Sequence, residues 1–193
     1  MTLPELPTPY LLIDQAKLLR NFSDVQSYAQ QHNLTVRIHT KSLKSSALVK
    51  LLLSKGARGI ASARVSEAEE MLKSGNNDVL IAFPALGSER CRRIASLAKH
   101  AKVAVAVDAP EHVSALSAAA CQSGTSLGIL IEVDCGLGRC GLSRAKDCLA
   151  LYAAIQAAPN LEFRGFELYL GHLNAEMVRE ANSPSLSEVE KTW

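Results

Sequence analysis

The sequence predicts an α/β chain of repeated strand–helix units, which fold either as a doubly wound parallel sheet or as a (β/α)8 barrel. Three observations predict it. Short apolar runs recur six times, starting at residues 35, 59, 78, 104, 128 and 163. They are spaced by about 26 residues, roughly one strand, one helix and two loops. Two of them, Val79–Phe83 and Ile129–Val133, are almost continuously apolar, as in strands covered on both faces.

The elements follow in order. Tyr10-Leu11-Leu12-Ile13 is an extended segment that belongs to no strand–helix unit. Gln15–Gln31 spaces Leu18, Leu19, Phe22, Val25 and Ala29 three or four residues apart, as an amphipathic helix does. Strands are predicted at Thr35–Thr40, Gly59–Ala63, Asp78–Phe83, Ala104–Asp108, Gly128–Asp134 and Phe163–Tyr169. Between them, helices are predicted at Leu43–Leu53, from Ser66 to near Gly75, and at Ser88–His100, Pro110–Ser123 and Arg144–Ala157. Ser66 and Glu69 have the spacing of a capping box. A loop, a polar helix over about 174–182 and the start of another near Ser185 are predicted to end the chain.

Composition narrows the function. The 193 residues carry 21 Lys and Arg against 19 Asp and Glu, a net charge of +2. That balance argues against a nucleic-acid binder that relies on a basic surface. No 18-residue apolar run exists to span a membrane, and the N-terminus lacks the basic-then-apolar pattern of a secretory signal. Five cysteines, odd in number and without a Cys-x-x-Cys pair, point to reduced thiols in a cytoplasmic protein.

In stacked strand–helix units, functional groups collect beyond the strand C-termini. Those positions hold His39, Lys41, Phe83, Asp108, Arg139, Tyr169 and His172. A lysine just past an apolar strand can lose solvent and act as a neutral amine, attacking an aldehyde to form a Schiff base. Lys41 can equally be a solvated residue opening the next helix. Gly136-Leu137-Gly138-Arg139-Cys140-Gly141 matches G-x-G-x-x-G, but in the fifth unit rather than the first, and with an arginine inside it. Three readings stand: a dinucleotide loop, a plain tight turn, or a loop that aims Arg139 into a site. His39 and His172 are rim histidines or acid–base groups. No metal site is complete. Cys135 and Cys140 suit small apolar packing, and Arg90-Cys91-Arg92-Arg93 suits a solvated helix face.

Four segments occur in a telling order and spacing: Thr8–Asp14, Arg37-Ile38-His39-Thr40-Lys41-Ser42-Leu43-Lys44, Glu132–Gly141 and Tyr169-Leu170-Gly171-His172. With Ala63–Glu69 and Asp78–Pro84, they resemble the D-threonine aldolase / D-serine dehydratase family. Those are fold-type III pyridoxal-phosphate enzymes with an alanine-racemase-type barrel. The resemblance implies a (β/α)8 barrel with pyridoxal 5'-phosphate at its mouth. It implies Lys41 as the catalytic Schiff-base lysine, Arg139 facing the pyridine nitrogen and Tyr169 contacting the cofactor. His39 and His172 fall near the site without a definite role.

The implied activity is that of a lyase on small D-3-hydroxy amino acids, by retro-aldol cleavage or loss of water. A racemase and an inactive cofactor-binding fragment are the alternatives. Full-length relatives are implied to be homodimers and to use a divalent metal, manganese or zinc. No metal ligand falls in this chain by that resemblance. The sequence departs from the family's Arg-Pro-His-x-Lys-Thr-His-Lys pattern at Ile38, Ser42 and Leu43. At 193 residues, the chain is expected to form one N-terminal cofactor-binding barrel domain with about six of eight strands. Residues 174–193 are expected to open an unfinished helical segment, and the C-terminal β domain is expected to be absent.

Overall fold

The structure, a computed structural model, describes residues 8–173. Helix α1 (Gln15–Gln31) is capped by Asp14, whose carboxylate accepts the Lys17 amide at 3.0 Å. Strand β1 (Arg37–His39) leads into a single turn, α2 (Thr40–Leu43), and then α3 (Ser46–Ser54). The remaining units are β2 (Gly59–Ser62), α4 (Val65–Met71), a 3-10 turn (Leu72–Ser74), β3 (Asp78–Ile81), α5 (Ser88–Leu97), β4 (Lys102–Val107) and α6 (Pro110–Ser123). Then come β5 (Leu127–Val133), α7 (Ala145–Ala157) and β6 (Leu161–Leu168).

The six strands form one sheet in the order β1-β2-β3-β4-β5-β6, and every pair is parallel. That order settles the choice of architecture. A doubly wound sheet reverses direction at a switch point, whereas a barrel adds each strand beside the last. Successive helices from α2 to α7 touch one another and line one side of the sheet. Right-handed crossovers produce this arrangement when strands are added in one direction.

The side facing the helices holds the core. Ile38, Ile60, Val79, Val105, Ile129 and Ile131 pack there against Val49, Ile94, Leu116 and Ile155. The opposite face presents Leu80 beside Ala61, Ala104 and Gly128, three residues small enough for the sheet to curl. Below the strands, Asp78 at the start of β3 ties together the starts of β1 and β2. Its carboxylate accepts from Arg37 at 2.7 Å and Arg58 at 3.3 Å, and both sit near strand starts.

Three expectations change. The helix expected over Leu43–Leu53 is broken, because Lys44 adopts a left-handed φ of 45° and ends α2. Ser66 caps nothing: Arg64 is the N-cap of α4 and makes no side-chain cap bond, so Ser66 already lies inside the helix. The last strand is not covered on both faces. It alternates half-buried and exposed residues, and Phe166 and Leu168 stand half exposed beyond α7. Tyr10–Ile13 lies apart from the sheet, as expected, with Leu11, Leu12 and Ile13 exposed. The helices expected beyond residue 173 lie outside the described residues.

Candidate functional site

The parallel order puts every strand C-terminus on one rim, and the candidate residues meet there. Lys41 is placed by α2. The His39 imidazole caps this turn by accepting the Lys41 amide on Nδ1 at 3.3 Å. Thr40, fully buried, anchors the turn from beneath: its hydroxyl meets that of Ser62 at 2.8 Å and Glu67 at 3.5 Å. Burial, with Lys41 close by, holds the His39 imidazole below its ordinary pKa, and Glu67 pulls weakly the other way. A neutral imidazole is what the cap requires, since a protonated Nδ1 cannot accept. Lys41 itself stays exposed, so the described residues do not supply the desolvation that its position suggested.

Arg139 is placed by the glycine loop after β5. Asp134 accepts the amides of Gly136 and Gly138, both at 3.0 Å, and Asp108 accepts that of Gly141 at 2.9 Å. Leu142 closes the loop by donating to the Glu132 carbonyl and accepting the Asp134 amide. With those three amides engaged internally, the loop is no phosphate cradle, and the dinucleotide reading loses its physical basis. The loop instead aims a cation: the Arg139 guanidinium lies 4.6 Å from the Tyr169 ring centroid and 5.4 Å from that of Phe83. The Lys41 ammonium lies 5.4 Å from the same tyrosine ring. Residues from β1, β3, β5 and β6 thus converge on one patch of the mouth.

Tyr169 is itself wedged in place, because any Cβ at position 171 would collide with its ring. His172 packs beside Gly136, and its Nδ1 is buried without a partner among the described residues. Beside Phe83, a groove of about 600 Å³ is lined by Arg64, Arg90 and Arg93. Arg93 is paired with Glu69 and Arg92 with Glu89, so this basic run is partly neutralised. Cys135 is buried, as packing predicts, and all five cysteines are unpaired.

Two acids in the site escape a reading of strand ends. Glu132 on β5 and Glu167 on β6 are register partners and share the strand face opposite the helices. Glu132 is 2% exposed, and its Oε1 lies 3.5 Å from Arg139. A signal was available for Glu132, the one acid within the apolar run Leu127–Val133; Glu167 shares its strand with Glu162 and Arg164 and does not stand out in the sequence. Among the described residues, no three His, Cys, Asp or Glu side chains converge as a metal site, and no helix is long and apolar enough to cross a membrane.

Six parallel strands in sequential order, with cations and an aromatic ring gathered at their C-terminal ends, define an α/β barrel-type protein with its site at the mouth. Residues 13–191 match the family described as alanine racemase, N-terminal domain, and the chain belongs to that family. It is 40% identical over 169 residues to the 3-hydroxy-D-aspartate aldolase of Paracoccus denitrificans, covering 86% of this chain and 44% of that protein. It is 34% identical over 178 residues to the D-threonine aldolase of an Arthrobacter species, covering 92% and 47%. The crystal structure of D-threonine aldolase from Filomicrobium marinum superposes with a TM-score of 0.81 at 32% identity, over 83% of this chain and 43% of that one. The chain therefore spans about half the length of these relatives.

The residues present fit pyridoxal phosphate at one end. An amine, an aromatic face and a guanidinium share one patch, and two buried carboxylate oxygens beside them, Glu132 Oε2 and Glu167 Oε2, have no partner among the described residues.

Proposed function

We propose that this chain carries the barrel site of a pyridoxal-phosphate-dependent lyase acting on D-3-hydroxy amino acids, and that it belongs with the members that cleave a carbon–carbon bond. One observation carries the reading: Lys41, just past β1 at one edge of the sheet, and Arg139, in the loop after β5, both face the ring of Tyr169, just past β6 at the other edge. The aldolase subclass is supported by the relatives at 40% and 34% identity, each named an aldolase.

Pyridoxal phosphate, when bound, draws electrons from the substrate's α-carbon. Lys41 Nζ is the amine that would hold its aldehyde carbon. Arg139 and Tyr169 would contact its ring. Arg139, a guanidinium cation with donors and no acceptor, orients by charge and hydrogen bonding and takes no part in proton transfer. His39, holding the Lys41 amide on Nδ1, serves as a cap. Ligands for a manganese or zinc ion would come from outside the described residues.

The test is covalent trapping. The chain is incubated with pyridoxal phosphate, reduced with borohydride and mapped by mass spectrometry. The label is expected on Lys41 and absent in Lys41→Ala; a label elsewhere in the parent chain removes the assignment. Turnover of D-threonine or 3-hydroxy-D-aspartate to glycine with added manganese checks the substrate class.

A further inference from the structure

The two acids on β5 and β6 are not accounted for by the reading above. Side chains on adjacent parallel strands at matched register lie side by side, and Glu132 and Glu167 are so matched. Both point away from the helices, toward the mouth. Each has one carboxylate oxygen that is buried without a partner among the described residues. Among the described residues only one cation serves them: Arg139 approaches Glu132, and no ion pair reaches Glu167. A buried and a half-buried carboxylate against one guanidinium leave an uncompensated charge, which is costly unless one acid keeps its proton.

We propose that Glu132 and Glu167 are positioning residues with divided roles: ionised Glu132 holds Arg139 against the Tyr169 ring, and protonated Glu167 keeps the pair at a single negative charge. The wider surroundings agree. Asp108 and Asp134, at the ends of β4 and β5, add negative potential at Glu132, and burial, then Glu132 and Asp108, raise the pKa of the Cys140 thiol in the loop. Burial first, then the charge of Glu132, pushes Glu167 up to about 7, and Arg139 opposes this only weakly. Burial also raises Glu132, but there Arg139 is the main counterweight, by charge and by hydrogen bond. The proton therefore belongs on Glu167. A neutral amide can replace a protonated acid but not an ionised one, so the two glutamine substitutions should differ.

The role in holding the cofactor-facing arginine rests on the proposed function; the protonation state does not. The test therefore has two arms. In the first, the full chain without cofactor is labelled with 13C at glutamate Cδ and titrated by NMR. One glutamate is expected to titrate near pH 7, to vanish in Glu167→Gln, and to move toward the ordinary carboxylate range in Glu132→Gln. If no glutamate titrates above about pH 6, or if that resonance persists in Glu167→Gln, the proposal is overturned, whatever Lys41 does. In the second arm, pyridoxal-phosphate affinity is read by fluorescence quenching. Glu167→Gln is expected to stay within about threefold of the parent, and Glu132→Gln to lose about tenfold or more. Equal losses in both variants would overturn the division of roles. Should Glu132→Gln fail to fold, as circular dichroism would show, Glu132→Asp keeps the charge and is expected to retain most of the affinity. An Asp variant as weak as a folded Arg139→Gln control would count against the proposal. Failure to label Lys41 in an otherwise normal titration would instead count against the proposed function.

Discussion

At the scale of the residue, two glycines decide where the site's side chains stand. Gly141 has φ +104°, and a Cβ there would strike the backbone of Val133 and Asp134. Gly141→Ala is expected to cost about 1–3 kcal/mol, read as a lower urea midpoint, because both the conformation and the space exclude a side chain. Gly171→Ala should act on the site instead of the fold. It would displace the Tyr169 ring and weaken cofactor binding by fluorescence, with a smaller loss of stability. The glycine-rich string was visible in the sequence, and so was Arg139 inside it. What the string did not reveal is that Asp134 and Asp108 occupy its amides, since those partners lie up to 33 residues away in the chain.

At the scale of the element, the units divide into those that hold the fold and those that hold the site. Ile129 on β5 is fully buried against the helices, while Leu149 on α7 is 69% exposed. Ile129→Ala is expected to cost about 2–5 kcal/mol. Leu149→Ala should change stability by no more than about 0.5 kcal/mol. Urea melts of the two variants check the contrast. The turn α2 is different, being too short to be stable by itself and held by His39, Thr40 and its left-handed stop at Lys44. Periodicity read the longer helices well, and α1 and α6 have the expected bounds. It missed the break at Lys44 because apolar spacing continues across it; the backbone turn that presents Lys41 leaves no trace in the hydrophobic pattern. The capping box at Ser66 failed for a similar reason, since the helix had already begun under the control of β2.

At the scale of the whole molecule, buried titratable groups make stability depend on pH in opposing ways. Glu167 has a native pKa raised from 4.5 to about 7, so the native state binds more protons than the unfolded chain in that window. Its contribution is present below pH 4.5 and is lost as pH rises through about 7. His39 is held below its ordinary 6.5, so its contribution is intact above pH 6.5 and declines as pH falls below that. Glu167→Gln should remove the first dependence alone. Its stability relative to the parent, by urea melts, is expected to rise steadily from pH 4.5 to 7.

The sequence by itself determined the unit of construction, the strand–helix repeat with its apolar runs, because burial on one or both faces leaves a periodic mark on the chain. It also placed Lys41, Arg139 and Tyr169 at strand ends. Only the tertiary structure decided between a doubly wound sheet and a barrel arc, since both use the same local pattern and differ in which strands pair. It alone brought Lys41 at the first strand and Tyr169 at the last within reach of each other. It alone set Glu132 beside Glu167, because register between strands is fixed by hydrogen bonding and packing across the sheet, where local sequence has no voice.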